Sequence, residues 1–286
     1  MSTHVFAAVI LAALLHASWN ALLKSGGDKY ASTMALALGS LPLAAACVLV
    51  AGPPPLASWP FLLGSVAIHT GYNLALLNAY RAADFTQAYP IARGTAPVLT
   101  AIVGATLLGE VLTPVQSLAI GVIAAGVVSM AFAGRETRPG TRPMSRAGLG
   151  WALATSVLIA AYSLNDGIGA RVAGNSFSYY GATSILTALL MLLVMRLMRP
   201  GAVTASLARG ARGALLVGGP MSFVAYALVT WAFSQAPIAT VSALREVSIV
   251  FAMVIGTLVL RERPNWRRIG STFVTLLGVV LLRGAR

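Results

Sequence analysis

Acidic residues are nearly missing from this chain. Seven Asp and Glu stand against 20 Lys and Arg, and charged residues of both signs make up only 9% of its 286 positions. A soluble domain carries about 25% charged residues, so the soluble globular classes are excluded. Cysteine occurs once, at Cys47 inside an apolar run, so no intramolecular disulfide can form and the residue reads as packing. His4, His16 and His69 are the only histidines, and none has metal-ligand spacing to a cysteine or carboxylate, so no metal site is supported. A Gly-rich phosphate loop with lysine is missing, as is Gly-x-Ser-x-Gly, which leaves no support for ATPase or serine-hydrolase chemistry and no expected cofactor. No connection between apolar runs is long enough to build an extramembrane core. The N-terminus has no basic stretch before its first apolar run, so a cleaved signal peptide is not expected.

What is abundant is hydrocarbon. Hydrophobic residues make up 58% of the chain and the mean hydropathy is +0.82. One bilayer crossing takes about 20 apolar residues, so at about 28 residues per crossing and connection the chain has room for about ten. Hydropathy places spans near 5–23, 31–50, 59–80, 85–108, 113–133, 147–166, 176–197, 213–234, 238–260 and 266–283. Gly26-Gly27, Pro53-Pro54-Pro55, Pro114, the Arg/Pro stretch 135–146, Gly174, Pro200-Gly201, Pro237 and Pro264 fall between them. Pro42, Pro90, Pro97 and Pro220 lie inside spans, where membrane helices tolerate proline.

A net charge of +13 in a soluble chain would point to nucleic acid. Here the basic residues sit in the connections, as expected at an anionic leaflet, so the expected partners are the bilayer and a small solute rather than nucleic acid. Fifteen Lys and Arg fall in connections on one side, including Arg81, Arg135, Arg146, Arg199 and Arg267. Three fall on the other, Arg171, Arg283 and Arg286, and Arg93 and Arg245 lie within spans. The crowded side is expected to be cytoplasmic, which puts both termini outside a bacterial inner membrane.

The chain repeats itself. At an offset of 152 residues Arg93 falls on Arg245, Gly104 on Gly256, Leu108 on Leu260, Glu110 on Glu262 and Gly126 on Gly278. A repeat of five spans is odd, so the second copy must enter the membrane upside down. Inverted repeats are a transporter signature, with the substrate site near the midplane where the copies meet. The expected fold is therefore an all-α polytopic membrane protein of ten transmembrane helices, arranged as two inverted five-helix repeats around a central cavity. Residues 1–133 form the first repeat, 134–146 a basic cytoplasmic linker and 147–286 the second repeat.

The run Ala96-Pro97-Val98-Leu99, then Gly104, Leu107-Leu108-Gly109-Glu110, Pro114, Gln116, Gly121 and Gly126, resembles the ten-helix EamA-type members of the drug/metabolite transporter superfamily. So does Ala17-Ser18-Trp19-Asn20 in the first span, echoed by Ala161-Tyr162-Ser163 in the sixth. His16-Ala17-Ser18-Trp19-Asn20 and Ala92-Arg93-Gly94-Thr95-Ala96-Pro97 are similar to a subgroup associated with phosphonate utilisation. The resemblance covers nearly the whole chain and implies a transporter whose cavity is lined by the first, third, fourth, sixth, eighth and ninth helices. Two departures stand out. The second copy reads Arg261-Glu262-Arg263 where the first reads Gly109-Glu110-Val111, and the charge count places the termini opposite to many relatives.

Candidate site residues emerge from polarity inside spans. A guanidinium in the hydrocarbon region costs about 3 kcal/mol or more, so Arg93 and Arg245 must face protein or water. They either grip an anionic group of a solute through paired hydrogen bonds or enter a buried ion pair that fixes packing, Arg93 with Glu246 for example. Glu246 comes directly after Arg245, about 100° round the helix, and answers to Gly94 in the first copy, so the site is asymmetric in charge. It can partner Arg93, bind an ammonium or take up a proton.

His69, Tyr72, Asn73 and Tyr80 share one face of the third span, and Ser222, Tyr226, Thr230 and Phe233 one face of the eighth. His16 and Asn20 align in the first span beside Trp19. Lining a cavity and gluing the bundle are the two readings for these stripes. Asp166 is read as an interfacial cap or a partner of Arg171, with a proton relay as the alternative. Trp59, Trp151 and Trp266 open spans as interface aromatics.

The expected function is secondary transport of a zwitterion or anion, such as an amino acid or aminophosphonate, by alternating access, in a monomer or homodimer. Export of cationic drugs and a non-transporting membrane role are the alternatives, and an enzyme is not expected.

Overall fold

Runs of Ala, Leu, Val and Gly with few charges leave the backbone no hydrogen-bond partner in lipid but itself, and they form helices throughout. The computed structural model describes residues 1–24, 29–83, 85–133, 144–208, 211–258 and 266–285, and among these there is no strand. The order is α1 (Thr3–Lys24), α2 (Lys29–Ala51), α3 (Trp59–Ala82), α4 (Phe85–Leu107), α5 (Pro114–Ala133), α6 (Arg146–Ala173), α7 (Ser176–Met198), α8 (Pro200–Ser206), α9 (Gly219–Gln235), α10 (Ile238–Arg245), α11 (Ser248–Leu258) and α12 (Trp266–Gly284). A π-turn at Ala214–Gly218 opens α9.

Among the described residues nine stretches are long and apolar enough to cross a membrane, and α10 with α11 makes one of them. The tenth helix, α12, has the length, but it carries Arg267 and Arg268 at its start and Arg283 in its last turn, where charge reaches the interface. Residues 134–143 of the expected basic linker lie outside the described residues, as do Gly26-Gly27, Leu260 and the stretch Arg261 to Pro264 that contains Glu262.

Three features differ from the hydropathy reading. The sixth helix runs on to Ala173 rather than 166, because the first chain-reversing glycine is Gly174, at φ +70°. The ninth span is broken into α10 and α11. A short helix, α8, fills part of the connection after α7, with Pro200 at its first position.

The chain divides into two units. Met1–Ile10, Gly71–Leu164 and Ala236–Arg286 form the first, in which α5 packs on α12, α4 on α5 and α10 on α4. Leu11–Thr70 and Asn165–Gln235 form the second, in which α2 packs on α7, α8 and α9, and α7 on α9.

Inside each unit, helices that correspond in the two repeats meet each other. In the first unit, a methyl group on Gly126 would lie 2.7 Å from Thr275 N and 3.1 Å from Ser271 O. One on Gly278 would lie 2.6 Å from the Ile123 side chain and 3.0 Å from Ala119 O. Ala119, Ile123 and Gly126 answer to Ser271, Thr275 and Gly278 at the 152-residue offset, so α5 and α12 present the same positions to each other, as in a two-fold pair. The contacts also run in opposite order, from Ala119 at Gly278 to Ser129, whose hydroxyl donates to Ser271 Oγ at 2.7 Å. The helices are antiparallel, so the second copy is inverted.

In the second unit α2 and α7 behave alike. Gly52 O accepts from Ser178 Oγ, Gly181 sits against Ala44, and Ser40 Oγ meets Ser184 Oγ at 3.2 Å. Small residues let these backbones approach, the usual basis of helix association in lipid.

Gly126→Leu should therefore destabilise the protein by about 1–3 kcal/mol through overpacking, while Gly121→Leu on the same helix, where an added carbon meets nothing within 4 Å, melts like the parent. Thermal unfolding in detergent compares the two, and equal melting would contradict this packing.

Candidate functional site

The first unit holds a buried charge cluster. Arg93 lies eight residues past the start of α4 and Arg245 seven past the start of α10, each about 10 Å along its helix. Arg93, Arg245 and Glu246 are 3%, 6% and 2% exposed. Arg93 and Glu246 form a two-point ion pair, with Nη2 2.9 Å from Oε1 and Nε donating to Oε2 at 3.0 Å. The guanidinium also lies 5.8 Å from the Tyr89 ring centre. Arg245 turns instead toward α6, with Nη2 3.4 Å from the Tyr162 hydroxyl and Nη1 3.5 Å from that of Ser163. Its Cζ lies 5.9 Å from the Tyr162 ring centre, and Tyr72 meets that ring edge-on at 5.4 Å.

The two neighbouring charges reach different helices because α10 ends at Arg245 and Glu246 sits in the break before α11. Across the break the backbone bonds tighten to i−3: Glu246 N–H to Ala243 O at 3.1 Å, Val247 N–H to Leu244 O at 3.1 Å and Ile249 N–H to Glu246 O at 3.0 Å. Such a tightened turn within a span marks a hinge or a site. Thr240 and Ser248 lie on either side of Glu246, each 2% exposed, and their hydroxyls have no hydrogen-bond partner among the described residues.

The start of α10 is held by Glu110. Gly109, at φ +64°, turns the chain after α4, and the Glu110 N–H returns to Gly104 O at 3.0 Å. The Glu110 carboxylate then accepts from Ile238 N–H at 2.9 and 3.0 Å, capping a helix whose Pro237 offers no side-chain cap. An anion at a helix N-terminus is favourable, so the Leu-Leu-Gly-Glu motif places α10, and with it Arg245 and Glu246. Gly94, the counterpart of Glu246, is pressed against α5: an added methyl would lie 2.8 Å from Val128 and 3.0 Å from Val127. Packing keeps an acid out of the first copy.

The second unit holds a different cluster, centred on Asp166, which is 0% exposed. Ser65 Oγ donates to its Oδ1 at 2.5 Å and Tyr179 OH to the same oxygen at 3.3 Å. His69 Nε2 lies 2.9 Å from Oδ2, and Tyr226 OH donates to that oxygen at 2.7 Å. The His69 and Tyr226 rings meet edge-on at 5.3 Å, and Tyr180 leans on Tyr226 at 4.9 Å.

The ten residues singled out from sequence thus divide between the units. Arg93, Arg245, Glu246 and Tyr72 gather in the first, where Asn73 is half-buried on α3. His69 and Tyr226 gather on Asp166 in the second. His16, Trp19 and Asn20 stay together on α1: Asn20 Nδ2 donates to His16 O at 2.7 Å, and His16 meets Trp19 edge-on at 4.9 Å. The Trp19 Nε1–H is buried without an acceptor among the described residues.

Asp166 lies seven residues before the end of α6 and is wholly enclosed, and Arg171 Nε donates to Phe233 O at 3.0 Å. Its role was visible only in the absence of a helix stop before Gly174. The role of Glu110 could not be read locally, because its partners are 128 residues away.

A family model described as the EamA-like transporter family matches residues 4–132 and again 146–284. A search of curated proteins returns no significant match. Among solved structures, one crystal structure with 20% sequence identity matches with a TM-score of 0.75, covering 98% of this chain and 96% of that one. At that identity the likeness speaks for the fold alone.

Removing one half of the buried pair should be costly. Glu246→Gln leaves the Arg93 guanidinium enclosed without its carboxylate and should cost about 3–5 kcal/mol, whereas Arg93→Met with Glu246→Leu should recover most of that loss. Thermal melting in detergent measures both. A single variant as stable as the parent would mean that the pair does not hold α4 to α10.

Proposed function

The chain belongs to the EamA-like transporter family, a membrane-transporter family of the drug/metabolite superfamily, and from that premise we propose that it is a secondary transporter of a small zwitterionic or anionic organic solute. The observation that carries this reading is the formal charge of the first unit's buried cluster. Two guanidiniums and one carboxylate leave it one positive charge in excess, inside a membrane span that cannot solvate it.

A carboxylate or phosphonate answers that excess. Its two oxygens match the planar fork of a guanidinium, at Arg245 or at Arg93 once Glu246 releases it. An amino group on the same molecule would replace Arg93 on Glu246, so Arg93 and Glu246 each keep a counter-charge in the loaded protein as in the empty one, while the excess charge is answered only by a solute that brings a further negative charge, as a phosphonate does. The cost lies between those two states, where each charge stands alone. A solute that satisfies both ends can therefore open the pair, and one that satisfies a single end cannot. The buried hydroxyl of Ser248, two residues after Glu246 and without a partner among the described residues, would supply a further hydrogen bond.

Export of bulky cations is less well supported, since the cluster's one acid is already held by Arg93 at 2.9 Å. Alternating access would arise from biasing the break at Glu246–Val247, with the Lys/Arg-rich connections on the cytoplasmic side.

The test is thermal stabilisation of the purified protein by amino acids, organic acids, phosphonates and cationic drugs, alongside Arg93→Ala and Arg245→Ala. A ligand at about 100 times its dissociation constant adds about 2.7 kcal/mol, enough for a visible shift. Zwitterions or anions should stabilise the parent and lose their effect in folded arginine variants. Stabilisation by cations alone, or variants that respond like the parent, would sink the substrate class.

A further inference from the structure

The second unit carries a patch of charge that the solute site leaves unused. We propose that Arg196, Arg199 and Arg212, gathered round the corner where α7 gives way to α8, form a docking surface for an anionic phospholipid, one whose headgroup bears a phosphate and no ammonium.

The corner is more basic than the chain can balance. Residues 24–30 and 196–212 hold six basic residues, Lys24, Lys29, Arg196, Arg199, Arg209 and Arg212, against one acid, Asp28. Even with Asp28 fully engaged, five positive charges of these six remain. Among the described residues the acids are Glu110, Asp166 and Glu246, and each is already held by the partners given above. Arg196, Arg199 and Arg212 are all exposed, so the excess faces outward.

The backbone brings these arginines together. Proline bars the residue before it from helical backbone, so Arg199 stands at φ −150°, ψ 66° and α7 ends there. The chain turns, and α8 packs back on α2 and α7. At the turn the Arg199 guanidinium lies over the Tyr30 ring, 4.9 Å from its centre. Arg196 precedes it by three residues, in the last turn of α7. Ala211 and Ala214 pack on Ala35, five residues along α2 from Tyr30, so Arg212 comes to the same end of that helix. Leu197, Met198, Leu207 and Leu216 are exposed between and beside these arginines in the chain. Apolar side chains interleaved with guanidiniums suit the level at which acyl chains meet headgroups.

Two phosphate oxygens match the fork of a guanidinium. Arg199, already held on an aromatic face, has less side-chain freedom to lose on binding than an arginine free in solvent. A choline or ethanolamine headgroup would bring an ammonium up to this excess of positive charge, whereas phosphatidylglycerol brings the phosphate alone. Each basic side chain beside an anionic headgroup strengthens binding about fivefold.

The test uses the purified full chain in detergent and needs no solute. Phosphatidylglycerol or phosphatidylcholine with the same acyl chains is titrated in, and lipid retained per chain is counted by native mass spectrometry. The parent should hold phosphatidylglycerol at least about fivefold more tightly than phosphatidylcholine. Arg199→Gln and Arg212→Gln should each weaken phosphatidylglycerol about fivefold. Arg146→Gln removes an exposed arginine from α6 in the first unit and should leave that affinity unchanged. Tyr30→Leu should weaken it with no charge lost, while Tyr30→Phe, which keeps the ring, binds like the parent. Should Arg199→Gln fail to fold, Arg212→Gln carries the same comparison. Equal retention of the two lipids would overturn the proposal. So would equal weakening by Arg146→Gln and the corner variants, which would leave only the general attraction of a basic protein for anionic lipid. Displacement of the lipid by inorganic phosphate at the same concentration would also overturn it, making the surface a site for free anions. None of these outcomes bears on the solute reading, whose charges lie in the first unit.

Discussion

Lipid neither solvates a charge nor accepts a hydrogen bond, and the rest of this structure depends on that constraint. Every ionised group placed at depth must be answered from within the protein. The two clusters are two answers. In one, Arg93 and Glu246 neutralise each other by a two-point contact and Arg245 leans on Tyr162 and Ser163. In the other, Asp166 is surrounded by hydroxyl donors and a histidine. The same constraint explains the helix caps. The N–H groups at the start of α10 lie where water is scarce, and Glu110 reaches from the end of α4 to satisfy Ile238.

A nearly symmetric frame carries an asymmetric charge. The reciprocal contacts of Gly126 with Ser271 and Thr275, and of Gly278 with Ala119 and Ile123, give α5 and α12 a two-fold relation. Arg93 and Arg245 obey it; Glu246 does not, because its counterpart is Gly94, locked against Val127 and Val128. Symmetry alone would give two equivalent ion pairs and a neutral interior. One acid beside two arginines, on a helix that breaks at that acid, places an uneven count of charges at a tightened turn of the backbone.

Much of the frame was legible in the residues. Long apolar runs set the spans, because lipid selects for them residue by residue, and the 152-residue offset exposed the repeat through polar residues that a random apolar helix would not share. Arg93 and Arg245 were legible for the same reason: charge inside a span has few explanations. What escaped depends on distance along the chain. Asp166 looked terminal because hydropathy falls at Asn165-Asp166, yet nothing ends the helix until Gly174, and its partners come from α3, α7 and α9. The break at Glu246 escaped because Val, Ile and Ser on both sides are compatible with an unbroken helix. The partners that tell the two charges apart, Arg93 for Glu246 and Tyr162 for Arg245, lie far away along the chain.

The central claim is that Arg93 and Glu246 hold each other only until a solute takes both. Exchanging them, as Arg93→Glu with Glu246→Arg, keeps the attraction but reverses its direction, and so separates packing from recognition. Melting and stabilisation by amino acids and phosphonates would be measured on the exchanged protein and on each single variant. The account predicts that the exchange recovers most of the stability lost in the singles while the stabilisation by zwitterions stays absent. An exchanged protein that melts like the parent and still responds to the same compounds would contradict it, and would leave the pair as packing alone.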